Sequence, residues 1–150
     1  MDRRHVEMYL LCKNFLKMLA RFAAFAGINY RDFLVGCAML AYNGSEYRIF
    51  WGANFMPALK PGPKRCAEFE ALEKAIKAGY LEIIAIAVAG LPQRDGRSGK
   101  DCKTLPPCGE CRTMLSGWNG VKPETIIFTV HRFEEVCEEC SFRELQQKYN

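Results

Sequence analysis

The chain has 150 residues, a length typical of one domain, and its hydrophobic content of 49% is enough to form a buried core. Its net charge of +4 is weaker than the basic surface expected of a dedicated nucleic-acid binder. No apolar run reaches the roughly 18 residues of a membrane-spanning helix, and charged residues interrupt the first apolar stretch, which argues against a signal peptide. We therefore expect a single domain over residues 1–150, with a cytoplasmic location.

The first predicted element is an amphipathic helix over residues 5–25. Its large apolar side chains recur at steps of three and four residues, whereas Lys13, Lys17 and Arg21 mark another side of the helix. We expect the lysine side to face solvent and the apolar stripe to pack on the core. The stripe consists of Met8, Leu11, Phe15, Met18, Phe22 and Phe25.

Strands and helices alternate in the rest of the chain. In order, the patterns predict a strand at 33–42, its hairpin partner at 46–51, a helix at 66–78, a strand at 81–89, a short helix at 109–116, a strand at 125–130 and a helical tail from 133. Asn43-Gly44 is a strong hairpin turn signal. The strand at 81–89 is apolar on both faces, as is typical of a central strand covered by helices on both sides. The predicted fold is therefore a three-layer α/β/α sandwich with a mixed central sheet.

The cysteines carry the chemistry. Eight cysteines in a chain without a secretion signal favour metal ligands or packed thiols over disulfides. Cys66 lies two residues before Glu68 at the start of one predicted helix, and Cys108 and Cys111 open another. Helix starts carry unpaired N–H groups and the positive end of the helix dipole, which favour thiolates. Three thiolates leave one tetrahedral position open, as in a catalytic zinc site, and Glu68 is then placed to transfer protons.

The pattern Cys66-Ala67-Glu68, followed by Pro107-Cys108-Gly109-Glu110-Cys111-Arg112, resembles the zinc-dependent cytidine deaminases. The resemblance is to the small branch that uses three cysteines and includes the blasticidin-type deaminases. It implies a Zn2+ cofactor held by Cys66, Cys108 and Cys111, with Glu68 as the catalytic residue. It also implies a hydrolase of pyrimidine salvage that converts a cytosine nucleoside to its uracil counterpart and ammonia. In this family the subunits form dimers or tetramers, and the aromatic-rich first helix is a candidate for the interface.

The same resemblance assigns further residues to the site. Phe33, within the motif that runs from Tyr30 to Met39, is expected to pack beside the base, and Asn54 to meet the ribose. The backbone of Ala67 is expected to hold the carbonyl of the base. Arg112 matches a family position from which it would offset the negative charge of the thiolates. Phe142 matches a residue that reaches the pocket of a neighbouring subunit.

This sequence departs from the family pattern at three places. Met56 stands where the family has a Glu that binds a ribose hydroxyl, and Phe69 stands where an Arg usually follows the catalytic Glu. The loop from Leu91 to Leu105 is longer than usual and carries four basic residues. The first departure argues against unmodified cytidine as the best substrate and favours a blasticidin-like analogue. The basic loop leaves a nucleotide open as a substrate.

Two other functions remain open from the residues alone. Cys137 and Cys140 form a second CxxC pair, and together with Cys108 and Cys111 they match the spacing of a structural zinc site in a binding module. A deaminase of single-stranded nucleic acid would need an open groove, and the small charge excess argues against it. His5 and His131 lie far from the cysteine cluster in sequence, and we expect neither to bind the metal.

Overall fold

The computed structural model describes residues 1–26, 28–29, 34–56, 66–91, 104–107 and 109–149. Among the predicted site residues, Phe33 and Cys108 lie outside these ranges, as does the basic segment 94–103. The helices of the described residues are α1 (Arg3–Ala26), α2 (Ala67–Lys77), α3 (Gly109–Ser116) and α4 (Phe142–Tyr149). The strands are β1 (Ile28–Asn29), β2 (Gly36–Tyr42), β3 (Tyr47–Ala53), β4 (Phe55–Met56), β5 (Glu82–Gly90), β6 (Val121–His131) and β7 (Cys137–Ser141).

Five of the described strands form one mixed sheet in the order β3-β2-β5-β6-β7. β2 pairs antiparallel with β3 and with β5, while β5 pairs parallel with β6. The parallel pair is joined through α3, because two parallel strands need a crossover connection. β7 closes the other edge by pairing antiparallel with β6, and β1 and β4 form a separate two-residue pair. The predicted mixed sheet, with its hairpin at one edge, is confirmed.

The sheet has an apolar core on each of its faces. Helices cover both cores, so the fold has three layers, with the sheet in the middle. One core lies under α2, α3 and α4 and includes Met39, Ile86 and Ile127. The other lies under α1 and includes Leu40 and the alanines of β5. β5 is buried along both faces, as predicted for a central strand. None of the described helices is both long enough and apolar enough to cross a membrane.

The prediction of which side of α1 packs on the core was wrong. Most of the predicted stripe points outward, and Leu11 and Phe15 are 80% and 54% exposed. The side that packs on the sheet is built around small residues and consists of His5, Tyr9, Leu16, Ala20, Ala23 and Ala24. The reason lies in β2, since a Cβ placed on Gly36 would come within 2.0 Å of the Ala20 carbonyl oxygen. The helix backbone thus approaches the sheet so closely that side chains larger than alanine do not fit at this point.

The basic residues of α1 also differ from their prediction, because they do not simply face solvent. Lys17 and Arg21 form ion pairs with Glu135 at 2.8 and 3.1 Å, and Lys13 pairs with Glu139 at 3.2 Å. These contacts tie one flank of α1 to the segment around β7. The apolar stripe is therefore bordered by salt bridges rather than covered by the core.

The C-terminal tail was predicted as a helix from residue 133, but a strand precedes the helix. β7 pairs residue by residue with β6, from Val130↔Cys137 to Ile126↔Ser141. α4 then begins with a capping box: Glu144 N–H donates to Ser141 Oγ at 3.1 Å, and Ser141 N–H donates to Glu144 Oε1 at 3.0 Å. The bond from the Ser141 N–H lowers the pKa of the Glu144 carboxyl. This reciprocal pair explains why the helix begins at Phe142 and not earlier.

Candidate metal centre

Three groups that can bind a metal converge where α2 and α3 begin. One ligand atom from each of Cys66, Glu68 and Cys111 lies within 4.8 Å of the other two. Glu68 and Cys111 are only 3% and 2% exposed, while Cys66 is half-buried. Two sulfurs and a carboxylate at this separation suit a thiophilic divalent ion such as Zn2+. The structure thus brings together two of the predicted ligands and the predicted proton-transferring residue, while Cys108 lies outside the described residues.

The position of Cys66 follows from its place at the start of α2. Its backbone is extended, with φ −78° and ψ 156°, and its Sγ accepts a hydrogen bond from Phe69 N–H at 3.4 Å. Cys66 is therefore the N-cap of the helix, a position normally taken by Ser, Thr, Asp or Asn. The positive end of the helix dipole favours a negative sulfur there. Glu68 lies in the same first turn, where the dipole favours its carboxylate as well.

A glycine of β3 sets how closely this turn approaches the sheet. A Cβ on Gly52 would lie 2.6 Å from both the Ala67 carbonyl oxygen and the Ala71 nitrogen. The first turns of α2 therefore rest directly on the strand backbone. Ala67 and Ala71 are fully buried, so the turn that carries Cys66 and Glu68 has little freedom to shift.

Cys37 is a neighbour of the site that sequence reasoning placed only in the core. It is fully buried in β2, as predicted, and it packs with the core under α2. Burial, followed by the charges of Glu68 and Cys66, raises the pKa of its thiol well above the ordinary value. Its sulfur is not part of the converging group found among the described residues. The sequence signal for this position is the alternation of side chains along β2, which places Cys37 on the same face of the sheet as Met39.

Arg112 connects α3 to the residue that precedes Cys108 in sequence. Its Nη1 donates to the Pro107 carbonyl oxygen at 2.9 Å, and both residues are at least half-buried. The bond joins the first turns of α3 to the chain that enters it. The role of Arg112 in offsetting thiolate charge stays a prediction.

The structure describes two of the predicted substrate-contacting residues. Asn54 accepts from Val35 N–H through Oδ1 at 3.0 Å, and its own N–H donates to the Val35 carbonyl at 3.1 Å. This double contact joins the end of β3 to the start of β2 and orients the Asn54 amide. Ala67 is the buried first residue of α2, next to the cluster. Their contacts with a substrate stay predictions, as does that of Phe33.

The geometry of β7 argues against the second CxxC pair as a metal site. Residues three apart on a strand lie on opposite faces of the sheet. Cys140 packs against the core under α4, whereas Cys137 is close enough to Tyr9 of α1 to influence its pKa. The two sulfurs are separated by the sheet and cannot bind one ion together.

The histidines and Phe142 have roles away from the cluster. His5 Nδ1 lies 2.6 Å from the Tyr47 hydroxyl, and His131 Nδ1 accepts from the N–H groups of Phe133 and Glu134. Neither histidine belongs to the converging group found among the described residues. Phe142 is 3% exposed and lies in the core of its own chain, so the expectation that it reaches a neighbouring subunit is wrong.

A separate cleft of about 450 Å³ lies between α4 and the strand pair β6–β7. It is lined by Thr104, Ile127, Glu138 and Leu145, among other residues, and the three groups of the cluster do not line it. The chemistry of the cluster therefore does not involve this cleft directly.

Comparisons with known proteins point to one family. The sequence pattern described as the cytidine and deoxycytidylate deaminase zinc-binding region matches residues 12–128. A cytidine deaminase of Halalkalibacterium halodurans is 37% identical over 91 residues, which make up 61% of this chain and 59% of that protein. The alignment thus spans less than two thirds of that relative's length.

Solved structures of the same kind share the fold. The crystal structure of a cytidine deaminase from Burkholderia pseudomallei superimposes with a TM-score of 0.67 and 26% identity, over 88% of this chain and 94% of the other. Those from Mycobacterium leprae and Mycobacterium tuberculosis give TM-scores of 0.59 and 0.57 at 20% and 21% identity. They cover 89% of this chain and 95% and 92% of theirs.

Proposed function

The chain belongs to the family of the cytidine and deoxycytidylate deaminase zinc-binding region, and from this premise we propose that it is a zinc-dependent hydrolase that deaminates the cytosine of a nucleoside or nucleoside analogue. The observation that carries this proposal is the convergence of Cys66, Glu68 and Cys111 within 4.8 Å. A buried carboxylate beside two sulfurs at helix starts supplies both a metal site and a proton carrier. The proposed reaction replaces the exocyclic amine by oxygen and releases ammonia.

The donor set fits zinc. Cys66, Cys111 and, by its place in the sequence motif, Cys108 would hold the ion, and three thiolates leave one coordination position open. When bound there, zinc supplies a water whose pKa is lowered into the range of a neutral-pH base. The N–H of Phe69 donates to the Cys66 sulfur and so holds it at the start of α2.

Glu68 is the proposed proton carrier. Its carboxylate takes one proton from the attacking water and gives it to the ring nitrogen beside the amine. It then takes the remaining proton from the hydroxyl newly bound to the carbon and gives it to the amine, which leaves as ammonia while the carbonyl forms. The buried position keeps this carboxylate away from bulk water, so that its proton goes to the substrate. General acid–base groups of this kind contribute about 10²–10⁴-fold to the rate.

A single substitution tests the role of Glu68. Glu68→Gln keeps the size of the side chain but removes the proton acceptor, and we expect it to retain zinc and lose at least about 10²-fold in ammonia release from cytidine or deoxycytidine. Glu70→Gln, which removes the same charge from the same helical turn, is the matched control and should stay near wild-type activity. Full activity of Glu68→Gln, or the lack of any turnover by the wild type on a cytosine nucleoside panel, would refute the proposal.

Met56 is the residue that favours one substrate over another among cytosine nucleosides and their analogues. The resemblance places a ribose-binding Glu at this position, and its replacement by Met favours an analogue such as blasticidin over unmodified cytidine. Met56→Glu is therefore expected to raise kcat/KM for cytidine and to lower it for the analogue. Kinetics on cytidine, deoxycytidine, deoxycytidine monophosphate and blasticidin decide between the candidates, and a preference for the monophosphate would identify a nucleotide enzyme instead.

We also propose that the protein forms homo-oligomers through the outer face of α1. This face continues onto Trp51 and Phe133, which pack edge-on or tilted against Phe22 and Phe25 at 6.5 and 6.1 Å between ring centroids. The exposed residues of α1 between 10 and 26 carry no charge. At roughly 100 Å² for each half-exposed large side chain, the patch reaches the ~800 Å² per partner of a standard interface and exceeds the apolar patches of typical monomers. Two copies can therefore bury the exposed side chains of α1 without desolvating a charge on those residues, while Lys74 and Arg132 border the patch over the Trp51 and Phe133 rings.

Analytical ultracentrifugation tests this assembly. We expect the wild type to sediment as a dimer or tetramer and Phe15→Glu to shift the protein towards the 17.1 kDa monomer, because the new charge would be buried in the interface. Leu81→Glu changes an equally exposed apolar residue outside α1 and should leave the assembly intact. A wild-type protein that stays a 17.1 kDa monomer at micromolar concentration would contradict this part of the proposal.

A further inference from the structure

A buried polar cluster, which we call the Thr104 clamp, connects β6 and β7 to the chain that leads into α3. The clamp consists of Thr104, Thr129 and Glu138. Thr104 donates twice to Glu138 Oε1, through its N–H at 3.1 Å and its hydroxyl at 2.6 Å. The Thr129 hydroxyl lies 2.6 Å from the Thr104 hydroxyl and is left to donate to it, because the Thr104 proton already goes to Glu138. Both threonines are at most 5% exposed, and hydrogen bonds to an ionised carboxylate are the stronger kind.

Thr104 and the three residues that follow it form a stiff, anchored segment. Leu105 is 1% exposed and packs on β5, where a Cβ on Gly90 would lie 2.4 Å from Leu105 Cδ2. Pro106 and Pro107 are buried, and their rings restrict both their own backbone and that of the residues before them. The Pro107 carbonyl accepts from Arg112 Nη1 of α3 at 2.9 Å. The segment 104–107 is thus held at its start by the clamp and at its end by α3.

This anchoring bears on the metal centre because α3 begins two residues after Pro107. Cys111 lies on α3, whereas Cys66 and Glu68 lie on α2, so the cluster closes only when the two helix starts are correctly placed. α2 is fixed by its contact with Gly52. The segment 104–107, bonded to α3 through Arg112, is therefore placed to pass a displacement of Thr104 on to the helix that carries Cys111.

We propose that Glu138, acting through Thr104, is a positioning residue that sets the place of α3 and thereby the geometry of the metal centre. The inference rests on the proposed function in one respect, that the cluster is a metal site. Glu138 does not belong to the cluster and touches no reacting atom; it lies on the edge strand β7, paired with Thr129. Its other side borders the cleft beside α4, so its replacement need not disrupt a closed core.

The next residue of β7 provides a matched control. Glu139 lies on the opposite face of the sheet, where it accepts a hydrogen bond from the Tyr9 hydroxyl and pairs with Lys13. Glu139→Ala therefore removes a carboxylate with a similar number of contacts from the same strand. It alters the packing of α1, which carries none of the converging groups.

The experiment measures zinc affinity by competition with a chromophoric chelator, together with thermal unfolding, on the full chain. We expect Glu138→Ala and Thr104→Val to weaken zinc binding by about tenfold to 100-fold, the range for groups that orient metal ligands. Thr104→Ser, which keeps the hydroxyl, should retain wild-type affinity. Glu139→Ala should lower the melting temperature while leaving zinc affinity within about twofold of the wild type, well short of that range.

The cobalt spectrum adds a readout that a merely structural role would not change. We expect the thiolate-to-cobalt absorption of the Co2+-substituted protein to shift in Glu138→Ala and not in Glu139→Ala. Wild-type zinc affinity in folded Glu138→Ala and Thr104→Val overturns the inference while leaving the proposed function standing. A wild type that binds no zinc overturns both, whereas clamp-dependent zinc binding without turnover of any cytosine compound supports the inference and refutes the proposed function.

Discussion

On one face of the sheet α2 meets the strands with its first turns, at Gly52, whereas on the other face α1 meets them with its last two turns, at Gly36. Both contacts are backbone to backbone, and both depend on a missing Cβ. The consequences differ because the contact falls at different points of the helix. A first turn seated on the sheet holds its residues in place, and here those include the N-cap Cys66 and Glu68. The last turns of α1, seated on the sheet, accept only alanines at the contact and leave Phe22 and Phe25 outside.

The comparison shows that the candidate site depends on where two helices begin, rather than on the faces along their length. The groups of the cluster lie in the first turns of α2 and α3, where unpaired N–H groups and the dipole favour anions. α1 has an ordinary helix start that carries Arg3 and Arg4, and its distinctive feature is a lateral apolar surface. One face of the sheet thus carries the converging groups, and the other carries an exposed apolar surface.

The largest difference in the free energy of unfolding is expected between a substitution on the inner side of α1, which faces the sheet, and one on its outer side. Leu16→Ala should lower the free energy of unfolding by about 2–5 kcal/mol, because Leu16 is fully buried and its truncation leaves a cavity. Leu11→Ala should change it by less than about 0.5 kcal/mol, because Leu11 is 80% exposed. Urea unfolding of both variants at a concentration that keeps the protein monomeric measures the difference. Equal losses would show that the outer side is packed as firmly as the inner side.

An intermediate effect is expected when a methyl group is placed at each helix–sheet contact. Gly36→Ala and Gly52→Ala should each cost about 1–3 kcal/mol of stability, since the added Cβ lies within 2.6 Å of helix backbone atoms. Only Gly52→Ala should also weaken zinc binding, because it displaces the turn that carries Cys66 and Glu68. Urea unfolding and chelator competition on the two variants separate the faces. An equal loss of zinc affinity in Gly36→Ala would contradict the assignment of the metal centre to one face.

The smallest effect is expected for the ion pairs that border α1. Hydrogen bonds from Lys17 and then Arg21 lower the pKa of Glu135 below its ordinary value of 4.5. A carboxyl whose pKa is lowered by folding adds stability above its unfolded pKa and loses it as pH falls through its folded pKa. Glu135→Gln should therefore melt below the wild type at pH 7, and the difference should shrink as pH falls below 4.5.

Two further measurements control this pH experiment. Glu134→Gln removes the same charge from the neighbouring position, and it should not reproduce the loss at pH 7. Because Glu135 is exposed, added salt should also reduce the difference in melting temperature between Glu135→Gln and the wild type. A difference that does not change with pH or salt would show that these ion pairs do not hold α1.

Features that depend on neighbouring residues were predicted well from sequence. The hairpin turn at Asn43-Gly44 has the expected positive φ of 101° at Gly44, and β5 and α3 lie within one residue of their predicted bounds. The starts of α2 and α3, which carry Glu68 and Cys111, were also predicted within one residue, whereas the convergence of the two starts was an expectation from the family resemblance. A turn, a cap and a helix start are each decided by residues within a few positions of one another.

β7 shows what local patterns miss. The segment Cys137–Ser141 contains two glutamates and two cysteines and has no strong strand propensity. It is a strand because the free edge of β6 offers it hydrogen bonds. The later helix start was readable from Ser141 and Glu144, whose spacing is that of a capping box.

The sequence by itself determined the candidate metal-binding groups and the elements that carry them, because spacing along the chain places such groups at helix ends. Only the tertiary structure decided which side of α1 faces solvent, since that depends on the absence of a side chain at Gly36, a residue of another element. The tertiary structure alone also brings Thr104 into hydrogen-bonding contact with Glu138, which is 34 positions away in sequence. The energy of such contacts comes from packing between distant segments, and no periodicity in either segment encodes it.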